Sequence, residues 1–387
     1  MAGVEPKTSI RKGLLMVFRS GTGTGRPQSP GVINLARASG GAFASFYCFY
    51  SGAPLIYTTA QAPAGVVVGV LMAVVVLIQP FVLAVGPWTR NRARVVRMAL
   101  LAIAAGLAAL PFGILWPGLI ILGVGFGVFV VTATAWAKEL AAPENVGWAL
   151  GVYGFGSAIG GAVGAPVGLL LAARFGASGV VLGGTVFALL AVLPVLAVAK
   201  NIAYKGAAHL AKLNSPASPF TGGVASGVGL PNVAGVLVVL VTLAAHLLAV
   251  VLYAAVLSSA ASLVTETTAI AAVLAVFATQ STVALGRLAS GALCDHSSAV
   301  GTAASAAVLL VISVACFTVP ASTPLVKIGA SAAVGAGAGM MQTAALTLMM
   351  RRAQTPARTE QVSAAWNIAF DLGLGAGAVL ASIMALA

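Results

Sequence analysis

The chain has 387 residues, of which 60% are hydrophobic and 7% charged, with twenty Lys and Arg against seven Asp and Glu. Soluble domains carry about 25% charged residues. A water-facing surface is therefore excluded for a fold of this size, and with it an ordinary soluble enzyme. Disordered chains are poor in apolar residues, which excludes disorder too. What remains is an all-α polytopic membrane protein. The net charge of +13 is spread between apolar runs rather than gathered on one soluble face. It reads as membrane topology, not as a nucleic-acid surface.

Residues 1–31 form a polar N-terminal tail in which TSIRKGLLMVFRS has the composition of a short helix lying on the membrane surface. Its apolar stretch GLLMVF is too short for the core of a cleavable signal peptide. A spanning helix needs about 20 mostly apolar residues. That window gives eleven spans: 32–57, 62–86, 95–116, 117–137, 147–172, 177–199, 233–257, 266–290, 298–319, 324–349 and 362–386. Six fall in an N-terminal bundle, 32–199, and five in a C-terminal bundle, 233–387. A polar connector rich in Lys, Ser, Pro and Gly, 200–232, separates them. With the N-terminus in the cytoplasm, 18 of the Lys and Arg residues fall inside, and Arg174 and Lys327 fall outside. This asymmetry is the positive-inside pattern of a multi-pass cell-membrane protein, and it places the connector in the cytoplasm.

The halves repeat. LGVGFGVF (122–129) matches VGAGAGMM (334–341), so Gly123, Gly125 and Gly127 fall on Gly335, Gly337 and Gly339. GVYGFGSAIGGA (151–162) resembles WNIAFDLGLGAG (366–377), with Gly160 on Gly375. Repeats of this kind mark secondary transporters, whose substrate site lies near mid-membrane between the repeats. The GxGxG runs lie inside apolar helices. They predict close helix packing, not a nucleotide site, which needs a strand, a turn and a helix N-terminus. No Walker, HExxH or GxSxG motif occurs, and the three cysteines, Cys48, Cys294 and Cys316, lack metal or disulfide spacing. Neither an enzyme nor a bound cofactor or metal is expected, and the cysteines read as small buried residues.

A charge at mid-membrane costs about 2.5–3.5 kcal/mol on insertion scales. Asp371, nine residues into the last expected span, is the one carboxylate placed deep in an apolar run, and Ser363 and Asn367 precede it at spacings of four. Two readings stand: a proton-coupling or substrate-cation site, or a carboxylate tied to a polar group of a neighbouring helix. In 233–257, Thr242, His246 and Tyr253 fall within about 40° of one another at 100° per residue. That stripe is expected to face a central cavity, with His246 either in proton coupling or as a neutral hydrogen-bonding residue. Arg37 and Ser45 on the first span, Thr132 with Trp136, Tyr153 with Ser157, and Gln342 complete the candidate cavity. Arg37 stands near a span end, where it either snorkels or binds an anionic substrate.

LAVGPWTRNRAR (83–94) carries the basic cluster Arg90, Arg92 and Arg94. GRLASGALCDHS (286–297) carries Arg287, Gly291 and Asp295, and GSAIGGAVGAPVG (156–168) a Gly-Pro run. On these motifs, over about 32–386, the chain resembles the major facilitator superfamily, and within it the drug- and sugar-efflux-type proton antiporters. The resemblance is to a loop motif G-x-x-x-D-R-x-G-R-R, of which the first copy has Leu83 and Pro87 in place of Gly and Asp. The second copy has lost the basic cluster, Ala165 precedes Pro166 in the Gly-Pro run, and Leu119 stands where members often carry Arg. The resemblance implies pseudo-symmetric helix bundles, an Asp commonly at the position of Asp371, and a cytoplasmic gate formed by Arg90, Arg94, Arg287, Gly291 and Asp295. A counterpart of span 177–199 would fall near 392–414, past Ala387. The face it leaves is expected to meet lipid, a second copy or an accessory subunit. The expected function is alternating-access, proton-coupled export of a small apolar or amphipathic compound. A proton-linked sugar or amino-acid transporter, a transport-inactive scaffold or sensor, and a lipid flippase are the alternatives.

Overall fold

The computed structural model describes residues 30–57, 64–82, 91–213, 233–259, 269–319 and 323–386. These are all-helical. In chain order the helices are α1 (Pro30–Ile56), α2 (Ala64–Val82), α3 (Arg92–Ala109), α4 (Leu115–Glu139), α5 (Val146–Leu213), α6 (Val233–Ser259), α7 (Ala269–His296), α8 (Ala299–Thr318), α9 (Pro324–Arg352) and α10 (Pro356–Leu386). The expected surface helix in the N-terminal tail lies outside the described residues.

Local chemistry sets several ends. Asn91 caps α3, its side chain accepting from the Arg94 amide at 3.0 Å. Thr323 precedes Pro324 at the start of α9, where the missing proline N–H costs nothing. Within α5, Gly176 has φ 61° and ψ −148°, a conformation essentially reserved for glycine. It breaks α5 into two arms, which correspond to the expected spans 147–172 and 177–199. The second arm runs on to Leu213, past the expected boundary at 199.

Seven helical runs among the described residues are long and apolar enough to cross a membrane, the kinked run Pro143–Val198 counting as one. The polar residues Ser39 and Ser45 of α1 and Thr279 and Arg287 of α7 are buried in the interior. The outward faces are apolar. Leu237, Leu240, Val241 and Leu248 of α6 and Val300, Val308, Val311 and Ile312 of α8 are all exposed. Such a belt is expected where hydrocarbon is the solvent. Cys316 stands exposed on α8. The expectation that all three cysteines are buried therefore fails there, because this face of α8 has no protein neighbour.

The glycine repeat is also a spatial repeat. A Cβ on Gly123 or Gly127 of α4 would strike Val74 or Ile78 of α2, and one on Gly125 would strike the α3 backbone at Ala99. In α9, Gly335 and Gly339 face the α7 backbone at Thr279 and Val283, and Gly337 faces Leu310 of α8. The outer glycines thus seat one neighbour and the middle glycine another, in both halves, as close packing through small residues requires. The Gly156, Gly160, Gly164 and Gly168 face of α5 lies against the α1 backbone at Ala36, Gly40, Ala44 and Cys48. Its counterpart in α10 is Gly373 and Gly377 against α6, whereas Gly375 has open space. The match of Gly160 to Gly375 read from sequence is therefore out of phase by two residues.

Candidate functional site

Two adjoining pockets lie between α1 and α5 on one side and α6, α7, α9 and α10 on the other. Phe43, Ser157, Arg287, Gln342 and Phe370 line both. The first adds Tyr153, Trp366 and Asn367 among others, and the second adds Tyr47, Tyr253 and Gln280. Arg287 sits nine residues before the end of α7, about 13 Å along the helix. Its side chain is buried. Its Nε donates to Gln342 Oε1 at 2.7 Å. Its Nη1 donates to the Gly154 carbonyl at 3.0 Å and to Ser157 Oγ at 2.6 Å. The guanidinium carbon lies 5.7 Å from the centroid of the Phe370 ring, within range of a cation–π contact.

Asp371 is fifteen residues into α10, because that helix starts at Pro356 and not at the expected 362. Its depth is therefore about 22 Å at 1.5 Å per residue. Asp371 Oδ2 accepts from Gln79 Nε2 of α2 at 2.7 Å. Asp371 is thus tied to a polar group of a neighbouring helix and lines neither pocket. Gln79 is completely buried, and its Oε1 has no hydrogen-bond partner.

His246 is completely buried, stacked on Trp366 at 4.6 Å and 12°. Its Nε2 stands 3.3 Å from the Trp366 carbonyl. A carbonyl only accepts, so Nε2 carries the hydrogen and Nδ1 is left without a partner. His246 lines neither pocket, since Trp366 and Phe370 stand between it and the space. Of the expected stripe on α6, Tyr253 alone reaches a pocket, donating to Gln280 at 2.5 Å. Thr242 returns its hydroxyl to the Val238 carbonyl at 2.6 Å.

Among the described residues, ten helices with a repeated internal packing and apolar outward faces enclose a polar centre. The family model of the Major Facilitator Superfamily matches residues 31–378. The chain belongs to the major facilitator superfamily. Among solved structures it is similar to the human organic anion transporter MFSD10, at 16% identity over 94% of this chain and 95% of that one, with a TM-score of 0.68. It is similar to the E. coli fucose:proton symporter FucP, at 13% identity over 92% and 91%, with a TM-score of 0.65. A bacterial homologue of the iron transporter ferroportin in an outward-facing state gives 15% identity over 93% of each chain and 0.65. At these identities the likeness shows the fold. No curated protein matches the chain. The family assignment makes the protein a transporter rather than an enzyme.

In this major facilitator chain the two sets of helices also meet at one end, where α3, α5 and α10 begin and α4, α7 and α9 finish. Arg92 donates to Glu139 of α4 through Nε at 3.1 Å and Nη2 at 2.7 Å. Its Nη1 donates to Glu360 of α10. Lys138 reaches the Ala353 carbonyl and donates to Thr359 Oγ1 at 2.9 Å. At the opposite corner Asp295 of α7 accepts from the Gly147 and Trp148 amides at 2.8 and 2.6 Å. It thereby caps α5 from the other half. Arg351 donates to Asp295 Oδ1 at 2.8 Å. Gly291 faces the Gly147 carbonyl and lies against the Gly151 Cα, so the two backbones touch.

The remaining expectations divide. Tyr153, Gln342 and Asn367 line the first pocket. Ser45 and Thr132 are fully buried with unpartnered hydroxyls, and Trp136 is buried in the core of the first half. None of the three lines either pocket. Arg37 is exposed and donates to Asn34 at 3.1 Å. Arg90 lies outside the described residues, and Arg94 is exposed with its side chain in no ion pair among the described residues. Arg287, expected at the gate, lies in the cavity wall instead. Sequence reasoning missed Gln79, Glu139 and Glu360, and named Arg92 only as part of the basic cluster of the loop motif. The available signal was scarcity: in a chain with seven acidic residues, each one close to an apolar run is worth placing.

Proposed function

We propose that this protein is a secondary active transporter that couples proton movement to the export of a small amphipathic compound by alternating access. The reading rests on one observation, the Asp371–Gln79 pair that spans the two sets of helices at depth. Ionised, Asp371 only accepts, and Gln79 Oε1 stays buried and unpaired, at a cost of about 1–3 kcal/mol. A proton on Asp371 supplies the missing donor and closes a two-bond acid–amide pair. Proton occupancy thereby changes the hydrogen bonding between α2 and α10, and so the relative position of the halves. His246 supports Trp366 and Phe370 from behind by stacking. Asp295, Gly291 and Arg92 hold the basic end shut. The positive-inside pattern assigns that end to the cytoplasm, so the conformation faces outward. The Gly-Pro run of α5 and its likeness to antiporters favour export.

Asp371→Asn tests the coupling. Its amide donates to Gln79 Oε1 without a proton, so the pair becomes insensitive to pH. In proteoliposomes, accumulation of a fluorescent amphipathic solute driven by a pH gradient is expected to disappear, while counterflow exchange without a gradient persists. Gradient-driven accumulation equal to that of the unsubstituted protein removes Asp371 from the mechanism.

A further inference from the structure

We propose that the central cavity binds an organic anion, its carboxylate held by Arg287 and Gln342 and its apolar body lying against Phe43 and Phe370. The proposal names the substrate class of the transport cycle proposed above, but it concerns binding, which needs no proton gradient. It starts from a charge imbalance. Arg287 is 6% exposed and lies mid-depth between the halves. Five of the chain's acidic residues are described, and none of them faces it. Glu139 and Glu360 pair with Arg92, Asp295 pairs with Arg351, Asp371 takes the Gln79 amide, and Glu144 is exposed at the bundle end. A buried cation without a counter-charge is costly. Here it abuts a pocket on two sides.

The second observation is independent and concerns Gln342, which is 1% exposed. Guanidinium only donates, so the Gln342 oxygen must be the atom facing Arg287, and this fixes the amide's orientation. Gln342 lines both pockets, and its Nε2 is then a buried donor without an acceptor among the described residues. Arg287 Nη2 takes part in none of the three hydrogen bonds that hold the guanidinium. Two residues that line both pockets thus each keep a donor nitrogen outside the hydrogen bonds that hold them, one of the two charged. A planar carboxylate accepts from such a pair and neutralises the charge. The Phe43 and Phe370 rings give the apolar remainder of the ligand its contact surface, and the shared hydrogen bonds to Gly154 and Ser157 tie occupancy to both halves.

The test is titration of the full chain in nanodiscs, followed by calorimetry, with benzoate, 2-naphthoate and 4-phenylbutyrate and with their neutral amides. The carboxylates are expected to bind, and each amide to bind roughly 30-fold more weakly or worse, the loss typical of removing one partner of a buried charge pair. Arg287→Gln is expected to lose the carboxylates by a similar factor, Arg287→Lys to recover part of the loss, and Gln342→Leu to weaken binding several-fold. Carboxylate binding to the unsubstituted protein is read without a proton gradient, so a failure of proton coupling in the transport assay is distinguishable from a failure of this proposal. Should Arg287→Gln not fold, the carboxylate–amide comparison on the unsubstituted protein and the lysine variant decide alone. Equal binding of amides and carboxylates, no binding of any carboxylate, unchanged affinity in Arg287→Gln, or full competition by acetate or chloride at matched concentration would each overturn it.

Discussion

The two corners of the closed end occupy equivalent places in the repeat and join the halves by different chemistry. Between α4 and α10 the contact is made by long charged side chains, with Arg92 held by Glu139 from its own half and Glu360 from the other. Between α5 and α7 the contact is made by backbone, with Gly291 against Gly147 and Gly151, and Asp295 capping the start of α5. The difference follows the decay of the loop motif. The first copy has Pro87 where an acid is usual, and the acid that engages Arg92 across the halves comes from Glu360, 268 residues along the chain. The second copy keeps Asp295 and Gly291 and has lost the basic cluster, and its cation comes from Arg351. Each corner thus joins the two sets of helices with a charged partner that comes from outside its copy of the loop motif.

The largest expected effect comes from breaking the charged corner. Arg92→Met leaves Glu360 buried beside no cation, which costs about 3–5 kcal/mol for a buried pair. Spin labels at the ends of α4 and α10 should then report a wider separation, and adding Glu360→Gln should restore most of the closed population. A single variant that stays closed would show that the clamp is incidental. Next comes the backbone corner. A Cβ at Gly291 meets the Gly147 carbonyl and stands 2.9 Å from Gly151 Cα, and overpacking of this kind costs about 1–3 kcal/mol. For Gly291→Ala the α5–α7 label distance should increase more than the α4–α10 distance. Equal widening would mean that the two corners move as one. The smallest effect is expected for Asp295→Ala, which removes two amide caps at about 0.5–2 kcal/mol. Thiol accessibility of a cysteine introduced at Ala292 should rise modestly, and no rise would leave the glycine contact as the sole fastener of that corner.

The candidate site was only partly legible. Asp371 is visible because a lone carboxylate in an apolar run is costly wherever the run packs, and its depth was misjudged because α10 starts six residues earlier than hydropathy suggests. Gln342, Tyr153 and Tyr253 were found because a polar or amphipathic side chain inside a span needs an interior place. Thr132, Thr242 and Ser45 met the same criterion and lie elsewhere. A hydroxyl can return its hydrogen to the preceding turn, as Thr242 does, so small hydroxyls signal a cavity poorly. Arg287 was read as part of a loop motif, because its span was expected to finish at 290. The helix runs to His296 and carries the guanidinium inward.

Composition and run length by themselves determined that hydrocarbon is the surrounding solvent, that the chain is helical, and that its halves repeat. Each of these depends on residues within one or two spans, and the energetic cost of exposing backbone or charge to lipid leaves no competing solution. Tertiary structure alone decided which polar groups meet. Arg92 reaches Glu360, Gln79 reaches Asp371, and Arg287 reaches Gln342 but no acid among the described residues. Those pairings depend on the rotation and crossing of helices far apart in the chain, which local periodicity does not encode.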